Sequence, residues 1–313
     1  MGLKFKKQTV AVKIESVYGT DAVPTKAANA ILCDEIRITP IKLLSKKRNL
    51  VMPFFGNQGA LVAGQYAMIE LDIEMQASGT LGTAPGYGVC FKGCAMSETV
   101  NAGVSVVYTP IDVSEQSVDI YWWMGGLLHK LTGTRGDVAW KLPRNEKPIF
   151  TFSFVGLYNA PSDSALPVDP TLTAFKKPVM VNNANTIATL HSHSGVFHNI
   201  SGRLGNSIQY RNAPGVEEVV YTDRDGKGSF ELDAALVATK DWFTIAKGET
   251  LGAFTVTHGA ANGYKVKIDH ANVQLGADQE PKYENKEGIA TIGFGADLLV
   301  SAAGFDDTII TFI

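Results

Sequence analysis

The chain carries one β-rich pattern twice, and two copies of a pattern leave few folds open. The stretch I-R-I-T-P-I-K-L-L-S-K-K-R-N-L-V (Ile36 to Val51) is echoed by N-I-S-G-R-L-G-N-S-I-Q-Y-R-N-A (Asn199 to Ala213). Ile38 aligns with Ile200 at 200 − 38 = 162, and Arg48-Asn49 with Arg211-Asn212 at 211 − 48 = 163. Ile69-Glu70-Leu71-Asp72 aligns with Phe230-Glu231-Leu232-Asp233 at 230 − 69 = 161. A near-constant offset over separated islands is what an ancestral duplication leaves once loops have drifted. Two copies in one chain can fill two equivalent places in a symmetric assembly. That points to a building block before a catalyst.

The 313 residues suffice for two cores of about 150 residues each. Thirty-one glycines among many Val, Ile, Thr, Phe and Tyr favour strands and turns. A net charge of −3 lacks the basic excess of a protein that grips nucleic acid through its phosphates. Cys33, Cys90 and Cys94 are too few for a disulfide framework and fit a reducing compartment. The opening M-G-L-K-F-K-K-Q puts charge where a signal peptide needs an apolar core, and Lys6 breaks the myristoylation pattern. No apolar run approaches the roughly 18 residues of a bilayer span. The chain is expected to be cytosolic when made, with no membrane partner.

The pattern divides into an N-terminal arm and strand (1–35), a first unit (36–158), a Pro-, Asp- and Ser-rich connector (159–190) and a second unit (191–313). Val10, Val12 and Ile14 alternate as an opening strand. Further strands are predicted at 67–76, 104–109, 117–123, 127–132, 137–142 and 149–157, then at 252–258, 263–269, 271–275 and 288–299. Each unit also predicts one short helix. Val89, Cys90, Phe91 and Cys94 line one; Trp242, Phe243 and Ile245 line the other, with Thr239 as N-cap and Gly248 as stop. The first unit carries an apolar insertion between Arg48 and Tyr66, with Met52, Phe54, Phe55, Leu61 and Val62. Such a loop is expected to be buried against another subunit, the alternative being a fold back onto its own core.

Catalytic chemistry has no candidate set, and no cofactor site is predicted. His191, His193 and His198 form H-x-H-x4-H, the first two on one strand face, but no nearby Cys, Asp or Glu completes a metal set. They read as surface or interface histidines. Cys90 and Cys94 read as small buried side chains. Asp223-Arg224-Asp225-Gly226 lacks the full acidic pattern of a calcium loop and reads as a hairpin turn. Arg135-Gly136-Asp137 reads as a turn between strands. Asn199-Ile200-Ser201 spells a glycosylation acceptor that a cytosolic chain never presents to the transferase. More telling is the strand at 68–76, where Ile69, Leu71, Ile73 and Met75 oppose Glu70, Asp72 and Glu74, with Glu231 and Asp233 repeating the acidic side. Adjacent carboxylates repel, so this face must meet water or cations. It is either an ordinary solvated face or the wall of an aqueous bore along which a polyanion slides.

Five stretches together resemble the major tail tube proteins of long, flexible-tailed (siphovirus-type) bacteriophages. They are V-Y-G-T-D-A-V-P-T (17–25), G-L-L-H-K-L-T-G-T-R-G-D-V (126–138), F-T-F-S-F-V-G-L-Y-N-A-P (150–161), F-K-K-P-V-M-V-N-N-A-N-T (175–186) and A-N-V-Q-L (271–275). The resemblance runs nearly end to end. It implies tandem β-sandwich or barrel domains, each with one short flanking helix, in stacked rings around a DNA channel. Most members have one such unit and form hexamers, so two units per chain imply a trimer with pseudo-sixfold symmetry. Implied partners are further copies of the chain, tape measure protein and phage DNA in the lumen without specific binding, and terminator and distal tail proteins at the ends. On this reading Glu70, Asp72, Glu74, Glu231 and Asp233 line the lumen. Met52, Pro53, Phe54, Phe55, Leu61 and Val62, with the N-terminal arm, reach the next ring. Two rivals stand: a terminator or baseplate protein forming a single ring, and a carbohydrate-active β-sandwich using Trp122, Trp123 or Trp242 as sugar platforms.

Overall fold

The computed structural model describes residues 2–276 and 280–313. In chain order the first half supplies β1 (Gln8–Ile14), β2 (Ala30–Ile31), β3 (Glu35–Lys47), β4 (Ala60–Glu74), α1 (Gly88–Lys92), β5 (Met96–Asn101), β6 (Ser105–Pro110), β7 (Val118–Met124), β8 (Leu127–Pro143), β9 (Ile149–Tyr158) and β10 (Ser162–Asp163). The second half supplies β11 (Thr186–Leu190), β12 (Phe197–Arg203), β13 (Asn206–Ala213), β14 (Val216–Arg224), β15 (Lys227–Asp233), α2 (Trp242–Lys247), β16 (Gly252–His258), β17 (Val266–Leu275), β18 (Lys282–Lys286), β19 (Ile289–Leu299) and β20 (Ile309–Phe312). The chain is mainly β with two short helices, as its pattern predicts.

One antiparallel layer runs β3-β4-β9-β8-β12-β15-β19-β18. It crosses between the halves at β8 and β12, where Lys141 stands opposite Ser201 and Ala139 opposite Arg203. A second layer runs β5-β6-β20-β17-β16-β11. It too joins the halves, because β20 lies between β6 and β17. A flap of β7, β1 and β2 extends from the first part of β8.

The core lies between the layers. On β4, Ile69, Leu71 and Ile73 are fully buried while Glu70, Asp72 and Glu74 take the opposite face, the period-two outcome of an extended strand. Beneath them the Phe91 ring of α1 lies 5.0 Å from Phe152 and 4.6 Å from Tyr108. In the second half Trp242 of α2 lies 5.4 Å from Phe294, and Phe230 lies 4.6 Å from Phe254. Trp140 of β8 stacks on His270 of β17 at 5.3 Å, so the apolar interior is continuous across both halves. Each such side chain contributes roughly 1.5–3 kcal/mol on full burial. Packing of that size, and not intrinsic propensity, holds helices of five and six residues.

Several boundaries differ from the sequence pattern. The segments 127–132 and 137–142 form one strand, β8, interrupted by a bulge between Thr132 and Arg135 in which Gly133 takes φ +55°. Arg135-Gly136-Asp137 is therefore strand and not turn. The segments 263–269 and 271–275 likewise merge in β17. Asp241, not Thr239, caps α2, its carboxylate accepting the Thr244 N–H at 2.9 Å. Asp225-Gly226 does not close a hairpin, because β14 pairs with β13 and β15 with β12.

Gly205 marks the corner at which the β13–β14 hairpin leaves the first layer. Its φ is +80°, and a Cβ there would sit 1.9 Å from the Asp225 carbonyl oxygen. Asp137 pins the corner by accepting the Gly205 and Asn206 N–H groups at 2.9 and 3.0 Å. The hairpin then leans over the first half. Arg135 Nη1 donates to Val219 O at 3.0 Å, Tyr221 donates to Gly93 O at 2.6 Å, and Tyr210 stacks on Tyr66 at 4.9 Å.

The connector is more than a tether. Within it β10 pairs with β8, β11 begins at Thr186 and pairs with β16, and Val181 is buried. In the N-terminal arm, Val10, Ala11 and Val12 of β1 are also interior.

Candidate assembly surfaces

Three surfaces follow from this architecture: one polar sheet face, one apolar hairpin tip and two open sheet edges. Glu70, Asp72, Glu74, Glu231 and Asp233 all share the outer face of the first layer. The registers align Glu70 with Ser153 and Asp137, and Asp72 with Thr151 and Ala139. Across the junction they align Arg203 with Lys227 and Asp297, and Asn199 with Glu231 and Gly293.

The carboxylates on this face do not stand bare. Arg37 donates from Nε to Glu70 at 2.8 Å and from Nη1 to Asp72 at 2.7 Å. Lys147 meets Glu74 at 3.2 Å, Lys286 meets Glu231 at 3.2 Å, and His198 Nε2 lies 2.7 Å from Asp233. Glu231 in turn holds the Lys286 ammonium above its usual range. The face thus sets its carboxylates beside Arg37, Lys147, Lys286 and the His198 ring, which meets the electrostatic requirement that adjacent carboxylates impose.

The apolar insertion is the tip of the β3–β4 hairpin. Leu61 and Val62 belong to β4, and the loop itself spans 48–59, closed by Gln58, whose Nε2 donates to Leu50 O at 2.8 Å. Val51 and Phe55 are fully exposed, and Phe54 is 65% exposed. Met52, Leu61 and Val62 are exposed as well, and so is Pro53. The tip does not fold back onto its own core. An exposed apolar tip of this kind is a candidate interaction site.

β3 and β18 end the first layer. Among the described residues each pairs on one side only, β3 with β4 and β18 with β19. Open edges of this kind are templates for pairing with another chain.

The remaining sequence candidates are structural. His191 at φ +48° and Ser192 at φ +62° form a tight turn closed by the Leu190–His193 bridge, so His191 and His193 do not share a strand face. His191 is buried, its Nε2 3.0 Å from Val273 O, and burial lowers its pKa. His198 is equally enclosed, so neither is a surface histidine. Cys90 of α1 and Cys94 just after it lie in the core, and burial pushes both thiols well up. Trp122, Trp123 and Trp242 are all buried and offer no sugar platform.

Sequence reading passed over Glu15 and Asp119; the signal for Asp119 was a charge inside the apolar run Val118 to Met124. Glu15 accepts the Gly133 N–H and the Ser117 hydroxyl, each at 2.5 Å, and the Gly19 N–H at 2.8 Å. Asp119 accepts the Ala22 N–H. Together they tie the turn after β1 to the core.

The family described as phage tail tube protein matches residues 6–302. The chain belongs to that family. No individually curated protein matches it. A phage tail tube protein is a structural part of the virion tail and self-associates into a tube. The continuous sheet, open at both ends, is a subunit suited to that role. The family is a structural one and not an enzyme family. No helix among the described residues is long and apolar enough to cross a membrane.

Proposed function

We propose that this tail tube protein forms rings of three chains that stack into the tube of a siphovirus-type tail, through which DNA leaves the capsid. The two halves, read as copies of one tail-tube domain, give the ring pseudo-sixfold symmetry. The observation that carries this is the single sheet spanning both halves, with all five acidic candidates on one face and an open edge at each end. Joined head to tail, such sheets close into a barrel far wider than the roughly eight strands whose interior side chains can fill. The polar face becomes the lumen wall. Because its carboxylates are already paired within the chain, the wall meets passing DNA as a mixed-charge surface and holds it weakly.

The apolar hairpin tip, Met52 to Phe55 with Leu61 and Val62, reaches the adjacent ring. Tape measure protein occupies the lumen before DNA does, and terminator and distal tail proteins cap the ends. Assembly takes place in the bacterial host cytoplasm.

Negative-stain microscopy of the purified protein tests this reading. Tubes with a stain-filled lumen and threefold end-on views are expected. Isolated rings would favour a terminator or baseplate role, and a protein that stays monomeric at high concentration would remove the reading.

A further inference from the structure

The chain contains one finished copy of a sheet junction and the two halves of another. Where β8 meets β12, Ser201 stands opposite Lys141 and Arg203 opposite Ala139. Rows across the layer then relate each open edge to a strand of that junction. In the first half Leu71 pairs with Phe152 and Phe152 with Val138; in the second, Leu232 pairs with Ile292 and Ile292 with Tyr283. Three rows along, Ile149 faces Lys141 and Ile289 faces Lys286. β18 therefore stands where the end of β8 stands. At the opposite end Ile38 pairs with Ile69 and Thr39 with Met68, as Ile200 pairs with Phe230 and Ser201 with Ser229. β3 therefore stands where β12 stands.

Burial differs as a missing partner requires. Val138, on the joined edge, is fully buried, whereas Tyr283 at the matching place on β18 is 62% exposed. Ile41 and Leu43 along β3 are also exposed.

We infer that β18 of one copy pairs antiparallel with β3 of the next in the register of the internal junction, with Lys286 opposite Thr39. The inference rests on the tube reading and specifies its lateral contact. Both edges are backbone templates whose register is set by the sheet on either side. The occupant is a second copy of this chain, because the complementary edge lies at the far end of the same sheet.

Directly opposed residues in an antiparallel pair have Cα atoms about 4.5–5.5 Å apart, within reach of a disulfide. A Thr39→Cys/Lys286→Cys variant, oxidised after assembly, is expected to run as covalent oligomers on a non-reducing gel. Neither single variant should do so. Nor should Thr39→Cys/Lys282→Cys, whose second site lies roughly 13 Å further along the strand. Hydrogen exchange on the unsubstituted protein supplies an independent reading, with slower exchange expected across 37–41 and 282–286 on assembly. Tubes in which the first pair stays unlinked, or in which the Lys282 pair links instead, overturn this register. Tubes with unchanged exchange at both stretches overturn the edge pairing but leave the tube reading standing. A protein that forms no tubes removes both.

Discussion

Asp119 is the second residue of β7, between Val118 and Ile120, all three fully buried. Burial, and then the Glu15 carboxyl bonded beside it, push its pKa up to about 8. The folded chain therefore prefers the protonated acid. That contribution to stability is complete below the unfolded value of 3.8 and is lost as pH rises through about 8. Asp119→Asn retains an acceptor for the Ala22 N–H, offers Glu15 a donor, and removes the titration. Thermal unfolding midpoints between pH 5 and 9 are expected to fall less steeply for the variant. Parallel curves for the two proteins would show that this carboxyl does not govern the pH response. At this scale much was legible: Ile69, Leu71 and Ile73 against Glu70, Asp72 and Glu74 follow directly from alternation. What alternation cannot supply is the partner of each charge. Arg37 lies on β3 and Glu70 and Asp72 on β4, and only the register brings them together.

Among the elements, the β3–β4 hairpin departs furthest from what a lone domain needs. Its tip exposes apolar area, with Phe54 and Phe55 largely uncovered among the described residues, so its aromatic residues contribute little to the fold. Phe54→Ser with Phe55→Ser is expected to change unfolding free energy by within about 0.5 kcal/mol per site, as exposed substitutions do. Tube length in micrographs should fall sharply, with rings persisting. Normal tubes would assign the tip another task. Element type was readable from periodicity, while element ends were not. Gly133 in β8 has the look of a turn residue, yet the chain uses its positive φ for a bulge inside an unbroken strand. Asp225-Gly226 misleads in the same way, because whether such a corner closes a hairpin depends on which strands flank it.

At the scale of the molecule, the halves are sewn together twice, at β8–β12 and through β20. Phe312 of β20 is buried 5.7 Å from Tyr108 and 5.9 Å from Phe91, so a second-half residue completes the first-half core. Phe312→Ala is expected to cost about 3–5 kcal/mol. Calorimetry should show one transition moving to lower temperature. Two separable transitions, with the second half unmoved, would mean that the halves unfold independently. The echo between the islands was legible because Ile38 pairs with Ile69 and Ile200 with Phe230, apolar residues set side by side in both halves. The sharing of one interior between the halves was not, since no local pattern announces a strand that inserts between two others from a distance.

That placement of β20 also bears on timing. A nascent chain leaving the ribosome at about 5–20 residues per second exposes β6 long before its neighbour has been translated. Until residues 309–312 emerge, Tyr108 and Phe91 lack the ring that covers them. The core of the first half is thus closed only once the second half has been made, and a fragment ending before β20 is expected to leave Tyr108 and Phe91 uncovered.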